Sequence, residues 1–182
     1  MKRKMLQDLL QRYVSSYSEE KVYKRQILEF IEEHPDCFER SLEIGHITAS
    51  SWLLSKDGTQ ALMLHHKKLH KWLQLGGHCD GDSNVLAVAI KEAQEESGIQ
   101  DIRAISGDLF DIDIHLIPKN SKTGEKAHYH YDVRFLLQVQ SDETVIQNAE
   151  SNELRWVTKD IHQLPTQEYS ILRMMQKWQS LL

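Results

Sequence analysis

Hydrophobic positions change their spacing twice along this chain. Up to residue 40 they recur at helical intervals, with Met5, Leu9, Leu10 and Tyr13 in one stripe and Val22, Ile27, Leu28, Phe30 and Ile31 in a second. Ser16 or Ser18 can cap the second helix, and His34-Pro35 ends it because proline lacks a backbone N–H. From His46 the pattern turns to strands: 46–55 and 60–65 flank Lys56-Asp57-Gly58-Thr59, and Asp-Gly between two such runs predicts a hairpin. Trp72 to Leu75 reads as a short strand, 102–107 as another, and 109–117 alternates cleanly. A strand from His128 alternates too, and a register that puts His115 near His130 and Asp113 near Asp132 is the expected pairing. Leu154 to Val157 makes a last strand. Ile171, Leu172, Met175, Trp178 and Leu182 mark an amphipathic helix over 166–182. Helices, hairpin, helix, strands and helix in this order predict an α/β fold, a mixed sheet with helices on both faces.

Between the hairpin and the later strands lies Leu75 to Ile99, LGGHCDGDSNVLAVAIKEAQEESGI. Gly76, Gly77 and Gly81 predict a flexible loop. Asn84 to Ser97 predicts a helix, capped by Asp82, Ser83 or Asn84 and stopped by Gly98. Glu92, Glu95 and Glu96 fall at i, i+3 and i+4, so their carboxylates share one helix face. Three like charges repel, and at a helix C-terminus the dipole disfavours anions as well. A hard divalent cation reverses that cost, because it takes oxygen ligands and leaves positions for water and substrate phosphate. The alternative is a plain solvated acidic face.

The loop and helix together resemble the Nudix box, the signature of the Nudix hydrolases. Gly77 is followed after five residues by Ser83, and after seven more by Lys91-Glu92-Ala93-Gln94-Glu95-Glu96-Ser97-Gly98-Ile99. The family spacing is kept throughout. Two positions depart, with Ser83 where the family has Glu and Lys91 where it has Arg. A forked Arg loses its bidentate purpose once its carboxylate is gone, and Asp82 is the expected partner for Lys91 instead. The resemblance implies a Nudix-like α/β/α sandwich over 41–182, with residues 1–40 as an N-terminal helical extension. It implies Mg²⁺ or Mn²⁺ held by Glu92, Glu95, Glu96 and the Gly76 carbonyl, and hydrolysis of a diphosphate linkage in a nucleoside diphosphate derivative. Glu95, Glu96 or Glu150 would act on the attacking water, Glu150 because a Glu outside the box, before a late strand, often does so in the family; Glu153 is second to it.

Composition narrows the partners. The net charge of −5 invites no nucleic acid. No apolar run approaches the ~18 residues of a membrane span. Two cysteines and a charged N-terminus suit a cytoplasmic protein. The N-terminal helices should pack on the main domain or, as a homodimer, on a second subunit. Ten histidines is a high count, and most flank the box. On the two alternating strands Asp111, Asp113 and His115 share one face with His128, His130, Asp132 and Arg134. Under the resemblance that face lines the substrate groove, with Arg134 for a phosphate and His130, His115 and His78 as further substrate contacts. Three other readings stay open, one of them a plain interaction protein built on the N-terminal helices, which leaves the acidic helix unexplained. Cys79 beside His78 is compatible with an isopentenyl-diphosphate isomerase, a relative with a modified box. Ser83 and Lys91 are compatible with a non-catalytic nucleotide-binding sensor on the same fold.

Overall fold

A computed structural model describes residues 2–120, 124, 126–149 and 151–181. Its spine is β1 (Gly45–Leu54), buried along its whole length. On one side β1 pairs antiparallel with β2 (Gln60–His66) at Leu53 and Leu54, and with β4 (Leu75–His78) from Thr48 to Ser51. On its other side it runs parallel to β7 (His128–Val139), from Gly45↔Tyr129 to Leu54↔Gln138. β3 (Lys71–Leu73) and β8 (Ser151–Thr158) extend the sheet beyond β2, while β5 (Ile102–Ala104) and β6 (Asp111–Ile117) pair with the far side of β7. One parallel pair among antiparallel ones makes the sheet mixed, as the order of elements predicts.

Alternation along β1 gives the sheet two different faces. Ile47, Ala49 and Leu53 point into a core shared with Val133, Phe135 and Leu137 of β7, with α1 (Lys4–Arg12), with α2 (Ser18–Glu33) and with the box helix α3 (Val85–Ser97). Trp52 and Leu54 point the other way, into a smaller core under α4 (Tyr169–Gln179), where Trp52 meets Trp178 edge to face. Helices therefore cover both faces, the α/β/α layering that the resemblance implies. α1 and α2 are continuous with the main core: Leu6, Leu10, Ile27 and Ile31 are fully buried in it, and Phe30 stacks on Tyr131 of β7 with ring centroids 3.9 Å apart. They pack on their own sheet.

Several details differ from the sequence reading. Gly76 and Gly77 belong to strand β4, although their composition suggests a loop. Without a side chain, Gly76 lies against Ser50 of β1, and a β-carbon there would overlap the serine. α2 begins after Tyr17 with no side-chain cap: Ser18 is already its first helical residue, and neither it nor Ser16 caps the helix as expected. The expected cap of α3 is present: Asn84 accepts from the Ala87 N–H at 3.2 Å. Gly98 closes that helix in the left-handed region, at φ 77°.

Candidate active site

Glycine at two successive positions lets α3 approach the edge of β4. Glu96, 7% exposed, places Oε2 2.8 Å from the Gly76 N–H, which donates to it. Glu92 lies against Gly77 so closely that a β-carbon on Gly77 would overlap its carboxylate. Burial raises the Glu92 carboxyl above its ordinary value, against the lowering effect of the Lys91 ammonium. Glu95 faces solvent. Lys91 Nζ lies 3.2 Å from Glu95 and 3.4 Å from Glu92. Asp82, the expected partner of Lys91, accepts instead from the Asn84 N–H at 2.8 Å at the helix start. The lysine bends back along its own helix, where i, i+4 spacing puts Glu95 within reach.

Among the described residues the box acids do not form a converged cluster; the Gly76 N–H donates to Glu96, and Lys91 lies on Glu95. Their donor set still fits a hard cation: three carboxylates and the Gly76 carbonyl supply only oxygen, from a helix face and a strand held together by the Glu96–Gly76 bond. Glu150 lies outside the described residues. The segment before β8 crosses the end of α3, where Ile146 N–H donates to Ser97 O at 2.7 Å and Asn148 Nδ2 to Glu95 O at 3.3 Å. Glu153 sits on β8, bonded to Arg155 at 2.7 Å.

The polar face of the β6–β7 hairpin holds the main correction. The expected register is present, with His115↔His130 and Asp113↔Asp132. Arg134, expected to meet a phosphate, is 1% exposed, and each of its three nitrogens is engaged. Nε donates to Asp132 at 2.7 Å, one terminal nitrogen to Asp111 at 3.0 Å and the other to Asp113 at 3.3 Å. α4 covers this part of the face. From it Arg173 donates to Asp111 at 2.8 Å, while Lys177 reaches Asp111 at 2.8 Å and Glu20 of α2 at 2.6 Å. Burial opposes the ionisation of Asp113, but Arg134, His115 and Arg173 outweigh it and hold the carboxyl below its ordinary range. Asp132 also accepts from Thr48 and Ser50, both at 2.8 Å, and from Gln74 at 3.2 Å. The arginine ties β6 to β7, and its fork is not presented to a ligand.

Histidines occupy the open end of the same face. β1 and β7 place His46 opposite His130, and β4 places His78 opposite Thr48. One nitrogen from each of His46, His78 and His130 lies within 4.8 Å of the other two. His115 stands beside them, its ring centroid 5.4 Å from that of His130 and its Nδ1 3.2 Å from Asp113. The sequence reading included His78, His130 and His115 but missed His46, which it named only as the start of a strand. Desolvation, then the neighbouring His78, His128 and Arg40, push His46 down from 6.5 to about 4, with Asp80 opposing. Above the ordinary histidine pKa both the folded and the unfolded chain hold His46 neutral. As pH falls from 6.5 toward 4 only the unfolded chain gains the proton, so stability drops. Metal-free protein is expected to lose about 2 kcal/mol at pH 5 through His46. Urea unfolding at pH 7.5 and pH 5 checks this, and His46→Gln should shrink the difference by about that amount, while His130, depressed in the same direction, keeps its own share.

Cys79 is 3% exposed in the apolar core, and burial raises its thiol well above the ordinary value. No described helix is long and apolar enough to cross a membrane.

Comparison with known proteins agrees with this geometry. A model of the NUDIX domain matches residues 45–178. A probable DHNTP pyrophosphohydrolase of Lactococcus lactis subsp. cremoris (strain MG1363) is 29% identical over 119 residues, 65% of this chain and 66% of that one. The chain thus spans about two thirds of the length of the curated relative it matches. Among solved structures, a binary complex of the C. elegans Ap4A hydrolase superposes with a TM-score of 0.58 at 16% identity, covering 73% of this chain and 94% of that one. The E. coli dihydroneopterin triphosphate pyrophosphohydrolase superposes with a TM-score of 0.53 at 14% identity, covering 72% and 92%. At these identities the two structures show a common fold.

Proposed function

The chain belongs to the Nudix hydrolase family, and from that premise we propose that it hydrolyses a phosphoric anhydride in a nucleotide-like substrate, using Mg²⁺ or Mn²⁺ at the box. The observation that carries this reading is the placement of Glu92 and Glu96 against Gly77 and Gly76, with Glu95 on the same helix face and open to solvent. A divalent cation held by Glu92, Glu95, Glu96 and the Gly76 carbonyl would neutralise phosphate charge and activate a water.

The chain's own groups do the rest. The Gly76 N–H fixes one Glu96 oxygen and so sets the direction of the other. Glu95, the most accessible of the three acids, orients the attacking water and takes its proton. Lys91 lies on Glu95 and Glu92; with a cation on those acids its ammonium would be available to a phosphate oxygen. The Arg134 cluster keeps β1, β6 and β7 in place beneath the groove. The buried Cys79 leaves the isomerase reading without its reactive group.

The name of the Lactococcus relative directs the substrate test to a triphosphate whose chemistry ends in pyrophosphate release. DHNTP, dinucleoside polyphosphates, ADP-ribose, NADH, sugar nucleotides and nucleoside triphosphates form the panel. With DHNTP, phosphate is expected only after inorganic pyrophosphatase is added, because the bond cut is the one that frees pyrophosphate. With p-nitrophenyl phosphate added as a phosphomonoester control, turnover confined to that control would overturn the assignment.

A further inference from the structure

We propose that His46, His78 and His130 form a second cation site, selective for a nitrogen-seeking transition metal such as Zn²⁺, with His128 beside His130 at its edge. This site goes beyond the hydrolysis reading and does not depend on it. The box offers only oxygen donors, which suit Mg²⁺ and Mn²⁺; imidazole nitrogen suits Zn²⁺, Cu²⁺ and Ni²⁺.

Three observations carry the proposal. The first is convergence. Rings from β1, β4 and β7 bring one nitrogen each to within 4.8 Å of the others, and their centroids lie 4.8 to 5.1 Å apart. The strand register sets this arrangement, so the site is held before any ligand arrives. The second is His46 itself. It is 3% exposed, yet neither Nδ1 nor Nε2 has a hydrogen-bond partner. Every imidazole carries at least one N–H, and leaving buried polar nitrogens unmade costs about 1–3 kcal/mol. A metal ion satisfies one nitrogen directly. The third is the geometry of His128. Its Nδ1 lies 2.9 Å from the Lys126 carbonyl and donates to it, which leaves the lone pair on Nε2. That Nε2 is 3.3 Å from Nε2 of His130. Two nitrogens bound to Zn²⁺ at about 2.0–2.1 Å in a tetrahedron stand about 3.4 Å apart. The competing arrangement is a metal-free hydrogen bond between those two rings.

Untagged, metal-stripped protein titrated with Co²⁺ decides between them. The expected result is the intense visible band of tetrahedral Co²⁺, saturating at one equivalent and erased by Zn²⁺. His46→Gln, His130→Gln and the partly exposed His78→Gln should each weaken binding on the order of 100-fold or more, beyond the loss caused by altering a mere orienting group. The double variant Glu92→Gln/Glu95→Gln should keep the band. Because His78 lies at a strand end and, like His130, is only half-buried, its variant tests the site even if that of the buried His46 fails to fold. No band in the wild type, a band unchanged in His78→Gln, or a band lost with the two glutamates would each overturn the proposal. The glutamate result also separates it from hydrolysis: a dead box with an intact Co²⁺ band leaves the histidine site standing.

Discussion

Replacing Glu95 by glutamine is expected to lower kcat for metal-dependent hydrolysis by about 10³-fold or more, while the melting temperature and circular dichroism stay near wild-type values. The side chain is 58% exposed, and its described partner is Lys91 at 3.2 Å. An exposed i, i+4 pair contributes only about 0.3–0.5 kcal/mol, so its loss is small for folding. The amide matches the carboxylate in shape but offers neither the charge to hold a cation nor the basicity to take a proton from water. The Asn148 contact to Glu95 is made to the backbone carbonyl and survives the change. Full activity in a folded variant would remove Glu95 from the chemistry. A large fall in melting temperature would make its role structural.

The second large effect falls on stability. Arg134→Met is expected to cost about 3–5 kcal/mol in urea unfolding, because it strands buried charge. Asp111 and Asp132 are 0% and 1% exposed, and Asp113 is 7% exposed. Arg173 and Lys177 still serve Asp111, but Asp132 keeps only the neutral donors Thr48, Ser50 and Gln74. Methionine fills the volume, so cavity formation is a minor part of the loss. A cost under about 1 kcal/mol would show that water or proton uptake relieves these aspartates, and the anchoring role assigned to Arg134 would fail.

These two residues show what the sequence makes legible. Glu95 stands out as a candidate because metal chemistry needs a fixed spacing of acids on one helix turn, and spacing is a local property. Alternation likewise gave the hairpin register of β6 and β7, since a slip by one residue would bury the wrong face. Arg134 was misread because alternation says which residues share a face and not what covers it. The cover comes from Arg173 and Lys177, some 40 residues later, and from Glu20, more than 100 residues earlier. The same limit hid His46. Its neighbours Ile47 and Ala49 are core, and only the parallel pairing with β7, nonlocal in sequence, brings it to His130. Gly76 and Gly77 read as a loop because glycine weakens strands in general. Here its lack of a side chain is what lets β4 lie against Ser50 and Glu92.

The central claim is that the box acids support hydrolysis of a phosphoric anhydride with a divalent cation. Phosphate release from the substrate panel, with Mg²⁺, Mn²⁺ or EDTA and with pyrophosphatase or phosphatase as coupling enzyme, tests it most directly. The account predicts turnover of one substrate class with Mg²⁺ or Mn²⁺ and none with EDTA. Silence across the panel with both metals, or turnover untouched by EDTA, would contradict it.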